Sequence, residues 1–363
     1  MYIYVLFLII LLIAYSFEKR TTKEPNVNIN ENNKYPITTF IGFIFLLLIF
    51  ALRHPSMGND LRYLDSNGYL GSFDLLSRFS LKQVINMDHF LNYERGYLIF
   101  NKIISLIWNN RQFFLSAVAF CSLYPVYRLI KNNSAYPVMS YFIYFGIPVF
   151  LMQFSGLRQI LAIGICLISF TYIQKKKPIW FILLVLLATT FHSSAFVFFI
   201  AYPLYYLKLD KTKRIISLVI IGIVYVFKNL LFAIFASLFK ETAKIHQTGA
   251  LTLLLVFVLI YALGIIFYKE DEKLNGYMNL FYMACIAQCF GGIYDLALRV
   301  GYYFMMFLPL LLPQLVSKMD DKSNRTIFFA GILICFGLFG LYSLSTSTWA
   351  MANPYHFFWQ SVV

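Results

Sequence analysis

The chain has 363 residues, of which 60% are hydrophobic and only 13% charged. Soluble domains run at about 45–50% apolar and about 25% charged, so a soluble enzyme, a disordered chain, a coiled coil and a disulfide framework are all excluded. Long apolar runs exclude an outer-membrane barrel too, and the net charge of +14 reads as loop cations that orient a membrane protein rather than as a surface for nucleic acid.

Apolar segments fall at 2–17, 37–52, 96–108, 113–130, 134–151, 156–173, 178–191, 194–207, 214–239, 249–268, 277–293, 299–316 and 326–344. The first lacks a basic start and a small-residue cleavage site and is followed by Lys19 and Arg20, so it reads as an anchor with its N-terminus outside. The strongly basic short loops are 18–36, 174–177 and 208–214, and weaker ones are 128–133, 269–275 and 318–325. Alternating spans can place all six inside only if one early segment does not cross. Segment 96–108 is the candidate, being short and carrying Asn101 and Lys102 mid-way, features of a re-entrant or interfacial helix.

The expectation is an all-α polytopic integral membrane protein, a single membrane domain over 1–363. It has about twelve transmembrane helices with both termini outside, one re-entrant or interfacial helix at 96–108, and a large external loop at 53–95. The inner loops then hold 18 of the 30 basic residues, 14 of them lysine. Pro125, Pro148, Pro203, Pro309 and Pro313 fall inside spans, where kinks open cavities.

This topology gathers the chemistry on one face. His54, His89, His192, His246 and His356 all fall outside or at outer span ends, with Arg53, Arg62, Arg78, Arg95, Arg111, Arg158 and Arg299. Asp60, Asp65, Asp74, Asp88, Glu94 and Asp295 join them. Arginine offers a planar fork suited to phosphate where lysine offers a point charge. Each member has a plainer reading: Arg158 as a snorkelling anchor, Arg299 as the helical partner of Asp295, His192 as a satisfied interfacial histidine. Tyr63, Tyr69, Tyr93 and Tyr97 suit sugar stacking, but equally an interfacial aromatic belt.

A cationic pocket on that face has no access to nucleotide donors, so its substrate must arrive activated. A polyprenyl diphosphate sugar meets the requirement, its lipid in the bilayer and its diphosphate on arginine. Transfer from such a donor needs leaving-group charge stabilised and a base for the attacking hydroxyl. No Walker loop, dinucleotide fingerprint or HExxH occurs. Cys285 and Cys289 lie one turn apart but have no adjacent His or carboxylate to complete a metal site, so they read as structural and no metal ligands are assigned. The energy for transfer resides in the sugar–diphosphate bond, so no soluble cofactor is required.

Several short motifs run in order along nearly the whole chain. They are Arg53 with Gly58-Asn59-Asp60-Leu61-Arg62-Tyr63, Tyr93-Glu94-Arg95-Gly96-Tyr97, Ser155-Gly156-Leu157-Arg158-Gln159 and Phe191-His192-Ser193-Ser194-Ala195. Arg299-Val300-Gly301-Tyr302-Tyr303-Phe304 and Asn353-Pro354-Tyr355 complete the set. With these the chain resembles the EpsG-like family of bacterial polysaccharide polymerases, related to Wzy-type polymerases. The resemblance implies a GT-C-like glycosyltransferase in the bacterial cytoplasmic membrane with its active site facing outside. It would join polyprenyl-diphosphate-linked repeat units into an exopolysaccharide, capsule or O-antigen chain, beside membrane lipid and other assembly proteins such as a flippase or a chain-length regulator. On this reading Arg158, Arg299, Arg53 and Arg62 bind the diphosphate, His192, Asp60 or Glu94 takes the proton, and Tyr63, Gln159, Tyr302 and Tyr303 contact sugar or lipid. A flippase for the same lipid-linked oligosaccharide is the alternative, though polar groups on one face and the lack of a repeat argue against it. A membrane O-acyltransferase is a further one, but the inner loops offer little beyond lysine to receive an acyl donor.

Overall fold

The computed structural model describes residues 1–21, 35–61, 68–87, 90, 92–239, 250–267, 270–293 and 295–362, so Arg62, Tyr63, Asp65, Asp88, His89 and His246 lie outside the described residues. Every predicted apolar segment carries a helix. In chain order these begin with α1 (Tyr2–Thr21), α2 (Pro36–Ala51), α3 (Tyr69–Ser77), α4 (Leu81–Ile85), α5 (Arg95–Ile107) and α6 (Arg111–Asn133). Then come α7 (Pro137–Gly146), α8 (Pro148–Ser155), α9 (Leu157–Gln174), α10 (Pro178–Thr189), α11 (Ala201–Tyr206) and α12 (Lys211–Val226). The last are α13 (Lys228–Phe239), α14 (Ala250–Ile266), α15 (Glu272–Cys289), α16 (Asp295–Met305), α17 (Leu308–Ser317) and α18 (Lys322–Thr346).

Among the described residues, five helical stretches are long and apolar enough to cross a bilayer, and two bent pairs bring the number to seven. Shorter apolar helices cover Pro36–Ala51, Pro178–Thr189, Ser193–Tyr206 and Leu251–Ile266. Segment 134–151 is bent by 65° between α7 and α8, where Pro148 opens the second helix. Segment 214–239 is bent by 73° between α12 and α13, at a break that contains no proline. Large apolar side chains such as Ile179, Leu183, Ile334 and Leu338 stand more than half exposed, as lipid-facing residues of a membrane protein do.

The helices gather in two compact units, residues 1–196 with 327–363, and residues 197–326. In the first, α2 packs on α6, and α9 packs on both α6 and α10. Glu18 near the end of α1 accepts the Ile37 and Thr38 amides at 2.6 and 2.9 Å, a carboxylate placed on the free N–H groups that open α2.

The predicted loop 53–95 holds structure of its own. Its helices α3 and α4 share with α5 a small core of Leu76, Val84 and Leu98, flanked by Phe79, Met87, Phe90 and Tyr93. With 13 residues α5 is about 20 Å long, against a hydrocarbon core of about 30 Å. It buries Tyr97, Leu98, Asn101 and Lys102 and exposes Ile103, Leu106 and Ile107. The Arg111 guanidinium then ties the start of α6 to Asp74 of α3, with Nε at 2.8 Å.

In the second unit α15 is the hub, with α11, α14, α16 and α17 packed against it. Asn275 and Asn279 of α15 donate to the Leu207 and Leu204 carbonyls, each at 2.8 Å, at the end of α11. Arg214 of α12, fully buried, hydrogen-bonds Asn275. Cys285 and Cys289 are both buried in this unit.

Candidate active site

Four short segments of the first unit meet around one ion pair. Glu94 stands at the N-cap position of α5, Arg158 lies in the first turn of α9, and His192 follows α10 in the turn that leads to Ser193. Glu94 Oε2 accepts Arg158 Nη1 at 2.6 Å, while Glu94 Oε1 accepts His192 Nδ1 and the Ser193 amide, each at 3.0 Å. The fourth segment brings Tyr69 of α3, whose hydroxyl accepts Arg158 Nε at 3.4 Å.

The approach of α5 to the end of α10 depends on a glycine. A Cβ on Gly96 would meet Thr190 Oγ1 at 2.1 Å and the Thr190 carbonyl oxygen at 2.8 Å, where the Tyr97 amide donates to that carbonyl at 3.3 Å. Only a residue without a side chain lets α5 start so close to the His192 turn. Asn92, with φ 55°, turns the chain so that its carbonyl accepts Arg158 Nη1 at 3.2 Å.

Aromatic rings enclose the guanidinium. Arg158 Cζ lies 4.5 Å from the centre of the Tyr93 ring, a cation–π contact. Tyr93, Tyr69 and Tyr97 form a triangle with centroids 5.5 to 5.7 Å apart. These three tyrosines therefore build the wall around Arg158 rather than a belt. The charge of Asp60 also reaches the Tyr69 hydroxyl.

Electrostatics divide the labour. Burial alone would raise the Glu94 pKa, but the His192 ring, the Ser193 amide and the Arg158 guanidinium outweigh it and hold the carboxyl at about 2. Glu94 is thus an anion at neutral pH, committed on both oxygens. A carboxylate can only accept, so His192 carries its proton on Nδ1 and a neutral ring leaves Nε2 as the acceptor. His192 itself is 7% exposed. Burial raises the Tyr69 hydroxyl pKa, with Arg158 working in the other direction.

The other sequence candidates fall elsewhere. Asp60 is exposed, and its amide donates to Ser155 Oγ at 3.0 Å, three residues before Arg158. Gln159 is buried beside Arg158 in sequence. Arg53 is only 2% exposed; its Nη1 donates to the Gln153 carbonyl at 2.8 Å, and Phe154 and Phe50 cover it at 5.3 and 5.9 Å. Burial lowers the Arg53 pKa to about 10. It is a packed residue between α2 and the end of α8. Arg299 is exposed on α16, and Tyr302 and Tyr303 are buried on the same helix of the second unit. Among the described residues no group of three His, Cys, Asp or Glu side chains is placed to hold a metal ion.

Sequence reasoning treated Glu94 and His192 as rival bases and Arg158 as a separate clamp, and missed that one carboxylate joins them. It also missed Tyr69 and Asn92 as Arg158 partners. The signal present was the run from Asn92 to Tyr97, in which nearly every residue has a role at the centre. A family model described as EpsG family matches residues 37–357. No curated protein and no solved structure matches the chain.

Proposed function

The chain belongs to the EpsG family, and from that premise we propose that it is a membrane glycosyltransferase joining polyprenyl-diphosphate-linked oligosaccharide units into a surface polysaccharide. The family suggests a polysaccharide polymerase-type function; the donor, the outward-facing site and the bacterial cytoplasmic membrane belong to this proposal. So do the twelve-span topology with α5 as a re-entrant or interfacial helix and the kinship with GT-C enzymes.

The observation that carries the reading is the Arg158–Glu94–His192 relay. Glu94 fixes the histidine with Nε2 free and steadies a guanidinium at the same time. In the reaction, a hydroxyl on the incoming unit gives its proton to His192 Nε2. The hydroxyl oxygen then bonds the anomeric carbon of the growing chain, and the carbon–oxygen bond to the diphosphate breaks with its electron pair on the leaving group. Arg158, with Nε and Nη1 already held by Tyr69, Asn92 and Glu94, turns its remaining Nη2 edge to that charge. Positioned guanidinium donors lower such a barrier, and the Tyr93 ring covers one face of this one. Glu94 is a positioning residue in this scheme, and Asp60 orients the acceptor sugar at the exposed edge.

The test is chain-length analysis of lipid-linked and exported material. A strain lacking the protein should accumulate single repeat units on lipid, and His192→Gln should do the same at normal protein abundance. General-base loss is worth about 10²–10⁴ in rate. Absence of any exported unit in the deletion strain would favour a flippase, and normal polymer in His192→Gln would remove the histidine from the chemistry.

A further inference from the structure

We propose that the strap of residues 347–360 is a positioning element of the catalytic centre, gripping loop 52–61 so that Asp60 is held against α3 and the end of α8, which carry the chain to Tyr69 and Arg158. This rests on the reading of the centre given above. After α18 the chain folds back across α1 and α2, with Ala350 and Ala352 fully buried. Tyr4 of α1 donates its hydroxyl proton to the Ala352 carbonyl at 2.7 Å, and Tyr355 donates to the Ile49 carbonyl at 2.8 Å.

From that anchorage the strap reaches the loop through its backbone. The Trp349 carbonyl accepts the Asn59 amide at 3.0 Å, the His356 carbonyl accepts the His54 amide at 2.8 Å, and the Phe358 amide donates to the Leu52 carbonyl at 2.9 Å. Arg53 and Phe357 form an antiparallel bridge. The end of α8 holds the loop on its other side. There the Asp60 amide meets Ser155 Oγ at 3.0 Å, and Arg53 Nη1 meets the Gln153 carbonyl at 2.8 Å. Gly58, at φ 111°, presses against the Phe154 carbonyl, which a Cβ would approach to 1.9 Å.

The consecutive amides of Asn59 and Asp60 are thus fixed by different partners, one on the strap and one on α8. The Asp60 backbone is tied on both sides while the residue itself stays exposed. A displacement of 1 Å at a reacting group costs about 10²-fold in rate, so a loop bearing an acceptor-orienting carboxylate gains from being held twice. Backbone bonds make most of the grip. Among side chains, the hydroxyls of Tyr4 and Tyr355 tie the strap to α1 and α2, while the Met57 sulfur accepts the His356 amide at 3.4 Å and Asn353 accepts the terminal amine at 3.2 Å.

The experiment compares the wild type with Tyr4→Phe/Tyr355→Phe, each also bearing Asn59→Cys for labelling by a membrane-impermeant maleimide. Kinetics are measured on the proteins without that cysteine. A loosened strap should raise the labelling rate several-fold. Turnover with a lipid-linked unit should fall about tenfold, with KM within about twofold, since geometry rather than binding is lost. Adding Asp60→Asn to the double variant should cost little more than Asp60→Asn alone, the non-additive result expected of residues acting through one another. Unchanged labelling would overturn the grip. Additive losses, or faster labelling with normal turnover, would overturn the action through Asp60. Labelling needs no substrate, so failure of the strap inference is told apart from failure of the polymerase reading, which would leave the wild type without transfer activity.

Discussion

Glu94→Gln is the most direct probe of the centre, because it keeps the side chain's size and removes its charge. Glu94 accepts from Arg158 at 2.6 Å, from His192 at 3.0 Å and from the Ser193 amide at 3.0 Å. Glutamine has one oxygen for these three donors and sets an NH2 group against at least one of them. Breaking a buried ion pair costs about 3–5 kcal/mol. Arg158 and Glu94 are each 19% exposed, and water screening brings the stability loss down to about 2 kcal/mol. Activity should fall further than stability, by about 10²–10⁴, since the histidine loses the partner that keeps Nε2 free.

The same substitution should change the pH dependence of stability. The Glu94 carboxyl is held at about 2 against an ordinary 4.5, so the folded state binds its proton less readily than the unfolded state. Its contribution is complete above about pH 4.5 and is lost as pH falls toward 2, a change of about 2–3 kcal/mol. Thermal unfolding in detergent between pH 6 and 3 should show a decline in the wild type that Glu94→Gln flattens, while polymer ladders at neutral pH report the rate. Wild-type polymer length and rate in Glu94→Gln would refute the relay and leave Glu94 as scaffolding.

Arg158→Lys should be nearly as damaging as Arg158→Ala, because lysine keeps the charge but loses the fork shared by Tyr69, Asn92 and Glu94 and the flat face over Tyr93; full-length polymer in the Lys variant would argue for plain anchoring. Gly58→Ala puts a side chain at φ 111° with its Cβ 1.9 Å from the Phe154 carbonyl oxygen. Backbone strain alone is worth about 1–3 kcal/mol there, so the variant should lose abundance or melt lower in a detergent unfolding assay. On the proposed topology, in which α5 between them dips in without crossing, Asn59→Cys and Asn110→Cys should both react with an impermeant reagent from outside; Asn110→Cys reacting only from the cytoplasm would end that topology.

The apolar runs, their helical form and the membrane setting were legible in the sequence because each depends on local composition. A buried backbone in lipid has to satisfy its own hydrogen bonds, which leaves a long apolar run little choice but helix. The short motifs were legible too: Gly58, Gly96 and Ser155 proved to be points of close approach or docking, and Glu94, Arg158 and His192 fell at one centre. What the one-dimensional pattern could not carry was the division of roles among them. Glu94 reads as a base until Arg158 and His192 are found on its two oxygens, contacts that span 64 and 98 residues of chain. Arg53 reads as a phosphate ligand until it is found buried against Phe50 and Phe154, and Tyr69 and Tyr93 read as a belt until they close on a guanidinium. The bend at Phe227 and the return of residues 347–360 across the loop have no local signature either. Charge state, exposure and hydrogen-bond partner are properties of the packed chain, and tertiary structure alone decides them.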